Sequence, residues 1–446
     1  MQKFINRSIY PLLKNSLKEK YISVILGPRQ VGKTTLIKKL INDCKKQGIA
    51  EKNVLLLNFD DPELRMEISQ KPKAFLQKIE FAFGEPISEF SSKKYLFLDE
   101  AQKKPEIFDL LKMLYDEHQE KIKIIITGSS SLNLLKKSAE TLAGRVRFYN
   151  LSSLSWREII SKSISISDYS FIEGIAKGEI NYKTLLAMRA DVFKEKEKII
   201  FHWNNYLIRG GMPEIFLMES QEKRSEAFRD YIKTYLERDI KGLKQVGDEN
   251  LFLETLNIVL LRDAQILNSA SLASEIGIQR LTLKKYFSIL KETFLINTLR
   301  PFIKQSKQSA KSPKIYFFDY GITNYVGKIY SLGQLNVSER LGSVFENIIV
   351  NNLFKYFSNN PEPPNINFWR DYQGHEIDLI ISDNKNIIPV EITCSDKINR
   401  QKINNLKAFY KTFPSANNGF IIWQGGLEQI KLDNKIIFAI PYWMWL

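Results

Sequence analysis

Two rhythms of apolar positions run along this chain. Over the first ~150 residues, short unbroken apolar runs rich in β-branched residues alternate with stretches whose apolar residues recur every three to four positions. Ile22–Leu26, Val54–Phe59, Tyr95–Leu98 and Lys123–Thr127 read as strands buried on both faces. Leu36–Leu40, a region of about 62–90 and Glu106–Glu117 read as helices between them. Residues 1–20 read as a lead-in helix with Phe4, Ile9, Leu12, Leu13 and Leu17 on one face. Strand and helix in alternation predict a parallel sheet with crossover helices.

From about residue 150 to 245 the helical period dominates, including Phe228–Leu243. Gly210 and Gly211 ahead of Pro213 predict either a rigid bend or a plain connector between helices. Residues 250–318 then show a winged-helix pattern. Ser271–Ile276 is a short helix stopped by Gly277, and Leu281–Glu292 is a second, with Leu283, Tyr286, Phe287 and Leu290 turned inward. The strands Phe294–Leu299 and Lys314–Phe318 flank a loop carrying Lys304, Lys307 and Lys311. The last ~130 residues read as another α/β unit: a helix Gly342–Leu353, strands Asn367–Arg370, Glu376–Ile381 and Ile387–Thr393, a helix at about 400–412, the strand Gly419–Trp423 and an aromatic tail. The expected domains are 1–160, 161–248, 249–318 and 319–446.

Composition narrows the picture only slightly. The chain has 446 residues and is 44% hydrophobic and 12% aromatic, enough for about three domains each with a core. No apolar run approaches the roughly 18–20 residues that span a bilayer, and residues 1–21 lack the uninterrupted apolar stretch of a secretory signal. Cys44 and Cys394 are too far apart in sequence to form a disulfide framework or a metal site of their own, and His118, His202 and His375 are too scattered for zinc. The expectation is a cytoplasmic protein without a membrane partner. A formal charge of +15 suits an anionic partner such as nucleic acid.

Chemistry concentrates between the strands. Gly27, Pro28, Arg29, Gln30, Val31, Gly32, Lys33, Thr34 and Thr35 follow one apolar run and open a helix in the pattern G-x-x-x-x-G-K-T. Glycines at those two positions let backbone N–H groups converge on phosphates, and the helix start adds its positive end. Lys33 then reaches the β- and γ-phosphates, and Thr34 holds Mg²⁺. About 65 residues later, a run of four apolar residues ends in Asp99 and Glu100. Asp99 is expected to hold Mg²⁺ through its water shell, and Glu100 to polarise the attacking water. Thr127 and Ser129 end the next strand, either as a polar sensor of the γ-phosphate or as an ordinary turn. Arg145 is either a finger that stabilises charge on the transferred group or part of a solvated basic turn. The order of motifs predicts an additional-strand P-loop core. In the winged-helix segment, Arg280, Lys284 and Lys285 are placed to meet DNA, although such modules also serve protein contacts.

These motifs, with Ile5–Arg7, Phe97–Gln102, Leu142–Arg145, Arg209–Glu214 and Tyr235–Asp239, resemble the prokaryotic AAA-type ATPases that carry a C-terminal domain of unknown function similar to PD-(D/E)XK nucleases. The resemblance covers nearly the whole chain. It implies an α/β multidomain fold: an AAA-type P-loop core, a helical lid, a winged helix and a nuclease-like α/β domain. It also implies nucleotide contact at Gly27–Thr35, the Asp99–Glu100 pair, a sensor at Thr127 and, less directly, a finger at Arg145. In the nuclease pattern, Glu346, Asp378 and Glu391 fall in the order of metal-holding carboxylates, but the lysine position is Thr393. Lys397 lies beyond the strand. The domain is therefore expected not to cut DNA, with weak metal binding left open.

Three functions follow. The first is a Mg²⁺-dependent ATPase whose cycle rearranges DNA- or partner-binding domains, with a protein partner or other copies of itself. The second is a slow nucleotide-gated switch or scaffold. The third is a nucleic-acid-processing enzyme that uses the C-terminal fold.

Overall fold

The computed structural model describes residues 5–71, 73–129, 141–161, 163–164, 171–235, 248–303 and 312–445. The chain divides into two compact units: Asn6–Ser153 with Ile289–Phe294, and the remainder.

In the first unit, β1 (Ile22–Leu26), β2 (Val54–Asn58), β3 (Lys94–Asp99), β4 (Ile122–Gly128) and β5 (Val146–Asn150) form one sheet in the order β2-β3-β4-β1-β5. Every pairing in it is parallel. β1 and β4 are buried at every position, which is why they read as unbroken apolar runs. β2 and β5 lie at the edges and are partly exposed. The helix Lys33–Lys46 buries Leu36, Ile37, Leu40 and Cys44. The helix Ala74–Phe83 buries Phe75, Ile79 and Phe83 and stops at Gly84, whose φ of 71° suits a residue without Cβ. The helix Ile107–His118 buries Ile107, Phe108, Leu111, Leu114 and Tyr115. The lead-in helix is shorter than expected, spanning Tyr10–Ser16. Ile9, Leu13 and Leu17 are buried, but Leu12 is 46% exposed, because buried residues recurring every four positions leave its direction facing solvent. Phe4 lies outside the described residues.

The second unit opens with helices. Lys196–Arg209 and Pro213–Leu217 meet at Gly210–Gly211. Gly210 has φ 71°, and a Cβ there would fall 2.1 Å from Asp319 Oδ1; one on Gly211 would fall 2.5 Å from Leu154 O. Gly211 N donates to Asp319 Oδ2 at 2.8 Å, so the glycine pair is a bend fastened to a buried carboxylate. Aromatic rings pack this region: Trp156 lies edge-on to Trp203 and stacks on Tyr206, with centroids 5.3 Å and 5.9 Å apart.

The helix Glu249–Leu261, β6 (Gln265–Ile266), the helices Ser269–Ile276 and Arg280–Glu292, β7 (Ile296–Pro301) and β8 (Lys314–Phe317) follow in order. β8 pairs antiparallel with both β6 and β7. Leu283, Tyr286 and Leu290 are buried as expected, whereas Phe287 is only half-buried. Lys304, Lys307 and Lys311, like residues 236–239, lie outside the described residues.

The C-terminal strands are β9 (Asn365–Arg370), β10 (Glu376–Ser382), β11 (Ile387–Ile392), β12 (Gly419–Trp423), β13 (Glu428–Leu432) and β14 (Lys435–Pro441). β7 pairs in parallel with β9 through Arg300–Asn367 and Pro301–Phe368. The result is one mixed sheet of nine strands, β13-β14-β12-β11-β10-β9-β7-β8-β6. The helix Leu341–Phe357 is buried along most of its length, and its apolar residues share a core with the tail residues Tyr442, Trp443, Met444 and Trp445. Among the described residues, no helix is long and apolar enough to cross a membrane.

Candidate active site

Because the first sheet is parallel and β4 lies between β1 and β3, the loop after β1, the end of β3 and the end of β4 meet at one edge. The loop after β1 leaves no room for side chains where it turns. A Cβ on Gly27 would fall 1.9 Å from Leu151 O, and Gly32 has φ 95°. Pro28 and Val31 are buried, Arg29 is half-buried, and Gln30, exposed, takes a positive φ of 60°. Arg7 pins the loop from below: its Nη1 donates to Val31 O at 2.7 Å and its Nη2 to Ser152 O at 2.5 Å. No side chain caps the helix that begins at Lys33, the arrangement in which first-turn N–H groups receive an anion.

Lys33 is buried and donates from Nζ to Gly27 O at 3.0 Å and Pro28 O at 2.8 Å, so its ammonium lies over the loop's own carbonyls. Thr34 donates from Oγ1 to Asp99 Oδ2 at 2.7 Å, while Thr35 is exposed. The second Asp99 oxygen accepts from the hydroxyl of Thr127, which in turn accepts from Glu100 N at 3.1 Å. Thr127 is thus fully buried and ties the two acidic residues together. Glu100 takes a left-handed φ of 55° at the strand end. Its Oε2 accepts from Gln102 Nε2 at 2.6 Å and Ser129 Oγ at 3.2 Å, and Gln102 Nε2 also reaches Ser129 Oγ at 3.0 Å. Gln102 Oε1 is buried there without a partner.

Arg145 sits elsewhere in this unit, beside the helix Ile107–His118. Its Nε and Nη2 grip Asp116 at 2.5 Å and 3.0 Å, and its Nη1 donates to Ala143 O at 3.0 Å.

In the second unit, Glu346, Asp378 and Glu391 come together in a buried cluster, and Thr393 does not join it. Thr393 N pairs with Ile422 O at 2.9 Å, and its Oγ1 accepts from Ser395 N at 3.3 Å. Lys397 is exposed. The cluster's lysines are Lys402, from the helix Arg400–Thr412, and Lys314, from β8. Sequence reading missed both, although Lys402 carried a signal. Lys402, Asn405, Leu406 and Phe409 recur at helical spacing on one face, which marks two polar residues on a buried stripe. Arg7 and Gln102 stood in the quoted motifs without an assigned role; Arg7 acts on Val31 and Ser152, which only the fold brings near.

The five-stranded order, the P-loop and the acidic end of β3 together define an additional-strand P-loop domain. Residues 19–160 match the family model described as an AAA domain. Residues 200–337 and 341–445 match two models described only as domains of unknown function (DUF8612 and DUF4143). An uncharacterised protein of Methanocaldococcus jannaschii is 26% identical over 459 aligned positions, covering 99% of this chain and 91% of that protein. An uncharacterised protein of Mycobacterium tuberculosis is 25% identical over 372, covering 83% of this chain and 69% of that one. Among solved structures, DnaA of Aquifex aeolicus bound to AMPPCP has a TM-score of 0.28 at 15% identity, over 64% of this chain and 96% of that chain. PCH-2 of C. elegans has a TM-score of 0.26 at 17% identity, over 40% and 50%.

Proposed function

We propose that this protein is a Mg²⁺-dependent ATPase. The observation that carries the reading is the Thr34–Asp99 hydrogen bond of 2.7 Å at the end of a glycine-turned loop, with Lys33 and Glu100 flanking it. The residues fit Mg-ATP: the loop excludes side chains at Gly27, the helix start is uncapped, and the donor set joins a hydroxyl to a carboxylate. Bound Mg-ATP would supply a polarised γ-phosphoryl group for in-line attack by water. Lys33 would move from its two carbonyls to neutralise phosphate charge. Thr34 would hold the metal directly, and Asp99 through water. Glu100 would accept the proton of the attacking water, and Thr127 would hold the Asp99 carboxylate against the Glu100 backbone while sensing the γ-phosphate. The loop from Gly27 to Thr35 would wrap the phosphates. Arg145 would act as a finger only after leaving Asp116.

A second reading is a slow nucleotide-gated switch, and one observation favours it. The Glu100 carboxylate is already engaged by Gln102 and Ser129, so an activating step must free it before it can take a proton. The segment 249–318 supports a winged-helix module in which Arg280, Lys284 and Lys285, all exposed, face DNA. The C-terminal domain serves as a docking surface rather than a nuclease. The remaining assignments are a helical lid over 161–248, a partner of protein or further copies of this chain, and a cytoplasmic location. Steady-state ATP turnover with and without duplex DNA tests the reading. Turnover that rises with DNA supports the ATPase, tight ATP binding with negligible turnover supports the switch, and absence of ATP binding removes both.

A further inference from the structure

The C-terminal cluster gathers four carboxylates and two ammonium groups from five elements. Glu346 comes from the helix Leu341–Phe357, Glu376 and Asp378 from β10, Glu391 from β11, Lys314 from β8 and Lys402 from the helix Arg400–Thr412. Lys402 Nζ lies 2.6 Å from Asp378 Oδ2 and 2.8 Å from Glu391 Oε2. Lys314 Nζ lies 2.6 Å from Glu376 Oε1, 3.0 Å from Glu346 Oε1 and 3.6 Å from Asp378 Oδ1. Neutral donors add to these contacts. Tyr316 OH donates to Glu346 Oε1 at 2.6 Å, Asn405 Nδ2 to Glu391 Oε1 at 3.0 Å, and Ile392 N to Asp378 Oδ2 at 2.8 Å.

Glu346, Asp378 and Glu391 are the trio that the nuclease-like pattern gives to a divalent cation. Here both Asp378 oxygens face a lysine, and both Glu391 oxygens are occupied. A cation between Asp378 and Glu391 would have to displace Lys402. Among the described residues, no group of three or more His, Cys, Asp or Glu is arranged to hold a metal. The charge state agrees. Burial would raise the Asp378 carboxyl, but Lys402 and Lys314 outweigh it and hold the group below its ordinary range. Burial would likewise lower both lysines, and the carboxylates around them raise them instead. Glu391 is pushed up by burial and by Asp378, and Glu346 by burial, only partly offset by Lys314. Arg370 Nη1 adds a further cation 3.6 Å from Glu376 Oε2, so the buried acids are met by charges that the protein itself supplies.

We infer that Lys402 and Lys314 are the resident cations of this cluster, standing where a divalent metal stands in the nuclease-like pattern, so that the domain carries a closed ion-pair pin in place of a metal centre. The pin joins two strands at the centre of the sheet to a third strand and to helices that the sequence places far apart. Removing one partner of such a pair leaves an uncompensated buried charge, which is strongly destabilising. This inference stands apart from the ATPase reading.

The test uses the full chain without nucleotide and counts bound Mn²⁺ by the loss of its free-ion EPR signal. The wild type and Glu391→Gln should bind the same number of ions, since the cluster takes none. Glu391→Gln keeps the side chain's shape and leaves Lys402 paired with Asp378, so it is expected to fold. Lys402→Met should lower the apparent Tm in EDTA by roughly 10 °C. Millimolar Mn²⁺ should restore part of that loss with one extra bound ion, and adding Asp378→Asn should remove that ion. A wild-type ion lost in Glu391→Gln would overturn the inference. So would Lys402→Met that keeps the wild-type Tm, or that is destabilised yet takes no ion. If Lys402→Met does not fold, the comparison of wild type with Glu391→Gln decides alone.

Discussion

Two sites in this protein combine buried lysine with aspartate and glutamate, and they use the charges in opposite ways. At the P-loop, Lys33 donates to the carbonyls of Gly27 and Pro28, while Asp99 and Glu100 accept from hydroxyls and a side-chain amide. Those partners are neutral and exchangeable, so each charge can be handed to an incoming ion. In the C-terminal cluster, Lys402 and Lys314 donate straight into carboxylates. There the charges cancel internally, and an incoming ion has nothing to gain. The same residue types are therefore held by exchangeable partners in one place and locked to one another in the other, and the difference lies in what each lysine holds.

The largest effect should come from taking the lysine out of each site in turn. Lys33→Ala should weaken ATP binding by on the order of 100-fold or more, because a charge-assisted phosphate contact is lost. Its unfolding midpoint should stay within a few degrees of wild type, in contrast to Lys402→Met. Calorimetric ATP titration and thermal melts check both halves, and a Lys33→Ala protein that turns ATP over normally removes the P-loop reading. Next, Glu100→Gln should keep ATP affinity and lose turnover by roughly 10²–10⁴-fold, the usual worth of a general base. Turnover that survives would mean another group takes the proton.

A smaller effect is expected at the exposed lysines of the helix Arg280–Glu292. Lys284→Ala with Lys285→Ala should flatten the dependence of DNA affinity on salt by about one unit of slope for each phosphate contact removed. An unchanged slope measured by fluorescence anisotropy would assign that helix to protein contacts.

The smallest effect concerns a third lysine. Lys123 in β4 is buried and donates to Tyr21 O at 2.5 Å, and burial pushes its pKa down to about 7. The folded state thus sheds this proton before the unfolded chain does. Below about pH 7 both states carry it and stability is insensitive to this group; between 7 and the ordinary lysine value of 10.5, stability rises with pH. Lys123→Met should be more stable than wild type at pH 6, by at most a few kcal/mol, and should lose that rise. Denaturant melts from pH 6 to 10 check the slope; a wild-type curve as flat as the variant's would show that Lys123 is charged in the fold.

The P-loop was legible because its geometry is local. Glycine at two fixed positions, a lysine and a hydroxyl sit within one turn of chain, and their spacing alone dictates the loop. The acidic end of β3 was legible for the same reason. The sequence could not show that Ser129 would hold Glu100, or that Thr127 would bond to Asp99, since those contacts cross from the end of β4 to the end of β3. The C-terminal cluster marks the boundary more sharply. Its three carboxylates could be named in order, but the lysine was sought within two residues of Glu391, where Thr393 stands. It arrives instead from the following helix, and a second comes from β8. Leu12 shows the same limit on a small scale: apolarity placed it on the buried face, and only the helix's direction turned it outward.

The short parallel pairing of β7 with β9 has a mechanical consequence. It splices the small three-helix segment and the C-terminal domain into one continuous sheet, so no slack tether separates them. A torque applied to the helices Ser269–Ile276 and Arg280–Glu292 would pass through backbone hydrogen bonds into β9 and β10, as through a stiff lever. It also sets where the chain can be cut. A fragment starting after β8 would leave β9 with a bare edge, primed to pair with other chains. Truncations that seek the C-terminal domain alone should therefore retain β7.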